Sequence, residues 1–163
     1  MSFRRVFERI IWLAGCLSFT ASAGDGLLDE SFGIGGRWVF SSGFYPFDTG
    51  LGRLPAATTA DGRIYTAVRI LDGANTMVVA RRMPDGKADE SFGEGGFRTY
   101  TAPFDKFRPT VLLVQPDGKL VLGGLVTIPG HRASLCRLKE NGDLDVGFGG
   151  QPANPGCYYI NLG

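Results

Sequence analysis

Gly86-Lys87-Ala88-Asp89-Glu90-Ser91-Phe92-Gly93-Glu94-Gly95-Gly96 decides the fold, because the chain carries this phrase more than once. Sixty residues earlier, Gly26-Leu27-Leu28-Asp29-Glu30-Ser31-Phe32-Gly33-Ile34-Gly35-Gly36 matches it at eight of eleven positions. Fifty-six residues later, Gly142-Asp143-Leu144-Asp145-Val146-Gly147-Phe148-Gly149-Gly150 is a shorter version. Chance does not produce three such phrases on one period, so internal repetition governs the fold. Working outward, Asp61-Gly62-Arg63-Ile64 answers to Asp117-Gly118-Lys119-Leu120, and residues 77–86 answer to residues 133–142. The four extra residues of the first unit then fall between Gly36 and Asp61, around Gly43-Phe44-Tyr45-Pro46-Phe47, as a loop insertion.

Each unit reads as four strands. Asp61-Gly62 and Asp117-Gly118 each separate two β-rich runs, the signature of a hairpin with a type I′ turn. Residues 64–70 alternate apolar and polar, the period of a strand with one buried face. Residues 111–114 and 120–122 are continuous apolar runs, expected in strands buried on both faces. Residues 76–81 and 134–138 are expected to supply the outer strand of each unit. Residues 37–40, 97–101 and 157–162 supply the strand that follows each glycine phrase. The expected fold is all-β and propeller-like, built of four-stranded antiparallel blades. Units span about 26–85 and 86–141, with a partial unit at 142–163. Two blades and a terminal strand do not close a ring, which takes at least about four.

The phrases at residues 85–96 and 115–124 resemble the delta-60 repeat family of bacterial, propeller-like, often exported proteins. The resemblance extends over nearly all of residues 24–163. It implies a β-propeller-like fold and no activity, because the family has none established. This chain is shorter than the resemblance would suggest. An open two-blade stack, an oligomer that completes the ring, and a shortened gene product all remain compatible with it.

The N-terminal segment reads as an address. Arg4, Arg5 and Arg9 precede an apolar run from Ile10 to about Ala21, and Ala21-Ser22-Ala23 offers the small residues read by signal peptidase. Residues 1–23 are therefore expected to be a secretory signal peptide, too short to span a membrane. Leu13-Ala14-Gly15-Cys16 also resembles a lipobox, so a lipoprotein anchored through Cys16 is the alternative to soluble export. Cleavage after Ala23 removes three arginines and one glutamate and leaves 14 basic and 15 acidic residues, net −1. That balance gives no reason to expect nucleic acid as a partner. It also leaves two cysteines, Cys136 and Cys157. An even pair in an exported chain is expected to form a disulfide.

Asp29-Glu30 and Asp89-Glu90 could hold calcium, but their spacing matches neither an EF-hand loop nor the nonapeptide calcium repeat. The favoured role for Asp29, Asp89 and Asp145 is to accept backbone hydrogen bonds in turns. Phe32, Phe92 and Phe148 are expected to plug the gaps between blades. Gly33, Gly93 and Gly149 beside them let the backbone pass close to a neighbour. His131, the single imidazole, sits in a loop without a second ligand or a partnered serine. No catalytic, cofactor or metal motif occurs, so no enzyme, cofactor or metal site is expected. Trp38, Phe44, Tyr45 and Phe47 form the candidate binding surface for a glycan or protein partner; alternatively, these rings cover open blade faces. The expected function is an exported, non-catalytic binding or structural module at the cell envelope, associating with itself or another envelope protein. The rival is a glycan-processing or calcium-dependent enzyme completed by oligomerisation.

Overall fold

A computed structural model describes residues 16–20, 27–41, 47–48, 54–72, 76–101, 107–126, 132–149 and 155–161. Among them are eleven strands and no helix. They are β1 (Cys16–Thr20), β2 (Arg37–Ser41), β3 (Phe47–Asp48), β4 (Ala56–Thr58), β5 (Ile64–Ile70), β6 (Met77–Arg82), β7 (Phe97–Tyr100), β8 (Phe107–Val114), β9 (Leu120–Val126), β10 (Arg132–Leu138) and β11 (Cys157–Asn161). One sheet runs β3-β5-β6-β7, with β4 also paired to β5; a second runs β11-β10-β9-β8; β1 and β2 form a separate pair. The fold is thus all-β and partial-propeller-like, made of antiparallel blades that do not close into a ring.

Asp-Gly and Asn-Gly build the tight connections, though in a wider form than a two-residue turn. The Gly62 N–H donates to the Thr59 carbonyl and the Thr59 N–H to the Arg63 carbonyl, leaving three residues in the loop. The same pattern recurs at Met83–Gly86, Gln115–Gly118 and Lys139–Gly142. This is a type I turn closed by a left-handed glycine, the usual three-residue hairpin.

Each glycine phrase lies inside a blade, joining its third strand to its fourth. The outer strands are therefore β7 and β11, which follow the phrases, and not β6 and β10 as expected. The repeat register is kept even in the first pair. Thr20 faces Arg37 in β1–β2 as Ala80 faces Phe97 in β6–β7, sixty residues on. So β1 and β2 sit where the third and fourth strands of an earlier unit would sit. In the last blade the equivalent pair is Cys136 facing Cys157. These two cysteines form a disulfide, with Cα atoms 4.1 Å apart, that ties the edge strand β11 to β10.

The core is the seam between the two sheets. Tyr65, Ala67, Met77, Val79 and Phe92 meet Phe107, Leu112, Leu120, Leu122, Cys136, Leu138 and Cys157. Burial reverses two expectations. The alternating strand β5 is buried on both faces, including Thr66 and Arg69. The apolar run in β8 is buried on one face only: Leu112 is inside, whereas Val111 and Leu113 are exposed. Position in the stack decides this. The first sheet has neighbours on both sides, while the second has one among the described residues.

Candidate functional site

The repeated aspartates spend their oxygens inside the fold. Asp89 accepts from the Ser91 N–H at 3.1 Å and the Ser91 hydroxyl at 2.6 Å, and pairs with the Arg81 guanidinium at 2.8 Å. Arg81 also donates to the Ser91 hydroxyl oxygen at 2.6 Å and to the Glu140 carbonyl of the next blade at 3.2 Å. Burial works against ionising Asp89, but the hydrogen bonds from Ser91 and Arg81 outweigh it and hold the carboxyl below the usual range. Fifty-six residues on, Arg137 pairs with Asp145 at 2.8 Å, so the device repeats. In the first phrase Asp29 keeps its Ser31 bonds at 3.0 and 2.5 Å. The position equivalent to Arg81 is Ala21 there, so the repeat supplies no arginine. Among the described residues, no group of three or more histidine, cysteine, aspartate or glutamate side chains gathers in a metal-binding cluster.

The phenylalanines lie at the seams. Phe92 is fully buried, meets Tyr65 edge to face at 5.7 Å between centroids, and lies under the Arg81 guanidinium. Its ring packs on Gly142 of the next unit, where an added Cβ would come within 2.9 Å. Phe32 packs in the same way on Gly86. Each ring of one phrase thus covers the turn glycine of the following phrase. Phe148 is only half-buried under Arg137, because no later turn glycine follows it among the described residues.

That unfilled seam continues as an apolar face. Val111 and Leu113 of β8, Leu125 of β9, Leu135 of β10, and Tyr158 and Ile160 of β11 are each 38–57% exposed. Cross-strand pairing puts Val111, Gly123, Leu135 and Tyr158 in one row. The homologous face of the first blade, with Met77 and Val79, is covered by the second blade. The open face is therefore the counterpart of a blade-to-blade contact surface, with no blade against it among the described residues.

Residues 115–148 match a family described as a domain of unknown function (DUF5122) beta-propeller. The match runs from the hairpin before β9 into the third phrase. It supports membership of a β-propeller repeat family and assigns no activity. No curated protein and no solved structure matches the chain.

Of the four residues expected to form the aromatic surface, Trp38 and Phe47 fall among the described residues. Trp38, on β2, is 8% exposed and lies against the Arg82 guanidinium, so it covers a blade face instead of offering its ring to solvent. Burial alternates along β2: Trp38 is buried, while Arg37 and Val39 are exposed. Phe47 lies in β3 opposite Ile70. Phe44, Tyr45, His131 and most of the expected signal peptide, including its cleavage site after Ala23, fall outside the described residues. An open two-blade stack is expected to expose apolar surface, but the sequence does not place it on β8, whose apolar run reads as a doubly buried strand. No helix among the described residues is long and apolar enough to cross a membrane.

Proposed function

We propose that the protein is an exported, non-catalytic module of the delta-60 repeat type at the bacterial cell envelope, whose last blade recruits a second copy of the chain. The open apolar face of β8–β11 carries this reading, since a monomer rarely leaves a contiguous apolar patch without a partner. Repeat logic indicates which partner. Two of the three phrase phenylalanines already cover a turn glycine of the following phrase, Phe32 on Gly86 and Phe92 on Gly142. Among the described residues Phe148 covers no such glycine. The same step applied between copies sets the first phrase of one against Phe148 of the next, a head-to-tail contact. Such a contact either closes a ring or builds a filament.

The mass of the exported protein by light scattering tests this across a concentration series. We expect species larger than the monomer, dispersed by Leu135→Lys with Val111→Lys while the melting temperature of the dilute protein stays near the parent's. A monomer at every concentration, or an oligomer indifferent to both lysines, overturns it.

One observation favours the lipoprotein form of export. Cleavage before Cys16 would keep β1, whose register continues the repeat, whereas cleavage after Ala23 would remove the partner of β2. The mass of the mature N-terminus, with and without globomycin, separates the two.

A further inference from the structure

Arg82 closes β6 and is buried, at 6% exposure. Its guanidinium lies 4.5 Å from the ring centroids of both Trp38 and Phe97. It makes no hydrogen bond or ion pair with any described residue, and its Nε is sealed from solvent without a partner. A buried guanidinium without an acceptor is expensive, because it has left water and gained no opposite charge. The two rings offset part of that cost, but they supply no hydrogen-bond acceptor. Arg82 borders a cleft of about 400 Å³ between β2 and the first sheet, with Arg37, Lys87 and Ile34 on its walls.

Comparison with the next seam shows that the fold does not require this cation. Fifty-six residues on, the position of Arg82 is taken by Leu138, fully buried in the core. The charge at the mouth is altered as well. In the later seam Arg98, the counterpart of Trp38, pairs with Asp143, the counterpart of Lys87. The earlier seam thus replaces an arginine by an aromatic ring and an aspartate by a lysine. Asp85 offsets Lys87, its partner at 2.9 Å, while Arg82 and Arg37 have no acidic partner among the described residues.

We propose that this cleft is a binding site for a carboxylate carried on an apolar body. The planar fork of Arg82 suits two parallel hydrogen bonds to a carboxylate, and Trp38, Phe97 and Ile34 give the rest of the ligand an apolar surface. The site is independent of the open blade face, which lies on the other sheet.

Trp38 reports on it directly. Cleavage before Cys16 or after Ala23 removes Trp12 and leaves Trp38 the sole tryptophan. Phenylacetate titrated into this protein should change its emission saturably, while the neutral 2-phenylethanol should not. Arg82→Met keeps the bulk, and Leu138 shows that an apolar side chain is accepted at that position. It should weaken phenylacetate by about tenfold or more, the scale of losing a charge-assisted hydrogen bond. Arg82→Lys should bind between the two. Absence of a saturable response in the parent overturns the proposal. So does an equal response to 2-phenylethanol, an equal affinity in a folded Arg82→Met protein, or sulfate binding as tightly as phenylacetate. The two comparisons made with the parent alone stand even if a variant fails to fold.

Discussion

Phe92 and Phe148 hold the same place in their phrases and differ in what lies beyond them, so truncating each measures the value of a blade seam. Phe92 is fully buried, with Tyr65 at its edge, Arg81 over its face and Gly142 of the next unit beneath it. Phe92→Ala removes the whole ring and leaves a cavity between two sheets that cannot close up without sliding past each other. That costs about 3–5 kcal/mol. In a domain of this size each kcal/mol lowers the melting temperature by roughly 2–4 °C, which gives a drop of about 6–20 °C. Phe148 is half-buried, held by Arg137 with its ring 4.6 Å from the guanidinium carbon. Half of a large side chain's transfer energy is about 1 kcal/mol, so Phe148→Ala should lower the melting temperature by only a few degrees. Thermal unfolding followed by circular dichroism, on protein dilute enough to keep copies apart, gives both values. If Phe148→Ala costs as much as Phe92→Ala, or Phe92→Ala costs under about 1 kcal/mol, the phenylalanines do not act as seams between blades.

Gly93 and Gly95 share a left-handed backbone, with φ of 59° and 58°. A Cβ on Gly95 meets nothing, whereas one on Gly93 would collide with the Phe97 carbonyl. Gly95→Ala should therefore cost about 1–2 kcal/mol and Gly93→Ala clearly more; coincident urea midpoints would remove the close-approach argument. Replacing Cys136 and Cys157 together by serine should cost about 3 kcal/mol, the value of closing a loop of this length. A thiol assay on denatured, unreduced protein should find neither cysteine reactive, and finding both free would refute the bridge. Asp89 has a carboxyl held below its unfolded value, so its contribution is full above about pH 3.9 and is lost as pH falls through the lower folded value. Asp89→Asn should lower stability at neutral pH and flatten the acid limb of the stability curve. An unchanged acid limb would show that the Arg81–Asp89 pair contributes nothing to acid sensitivity.

The period of the repeat, the hairpin residues and the cysteine pairing were legible because each depends on a local requirement that a residue type announces. A left-handed turn needs glycine, and the second cysteine is the one that register places opposite the first. Burial was not legible, because it depends on what stands beyond a sheet. Residues 64–70 alternate as a half-exposed strand would, yet β5 is enclosed on both sides, with Arg69 and Thr66 held inside. Residues 111–114 read as doubly buried, yet Val111 and Leu113 face outward. The two errors have opposite signs and one cause. A repeat encodes each blade for a position between two others, so the apolar run of β8 keeps its pattern although no blade stands against Val111 and Leu113 among the described residues. The outward-facing apolar residues of β8 are therefore best understood as an interior face presented to solvent. Arg82 marks the converse case. At a position where the next unit has leucine, this unit buries a cation, and no requirement of the repeat accounts for it. Departures from a repeat's own register are where a sequence that otherwise describes only architecture begins to describe a ligand.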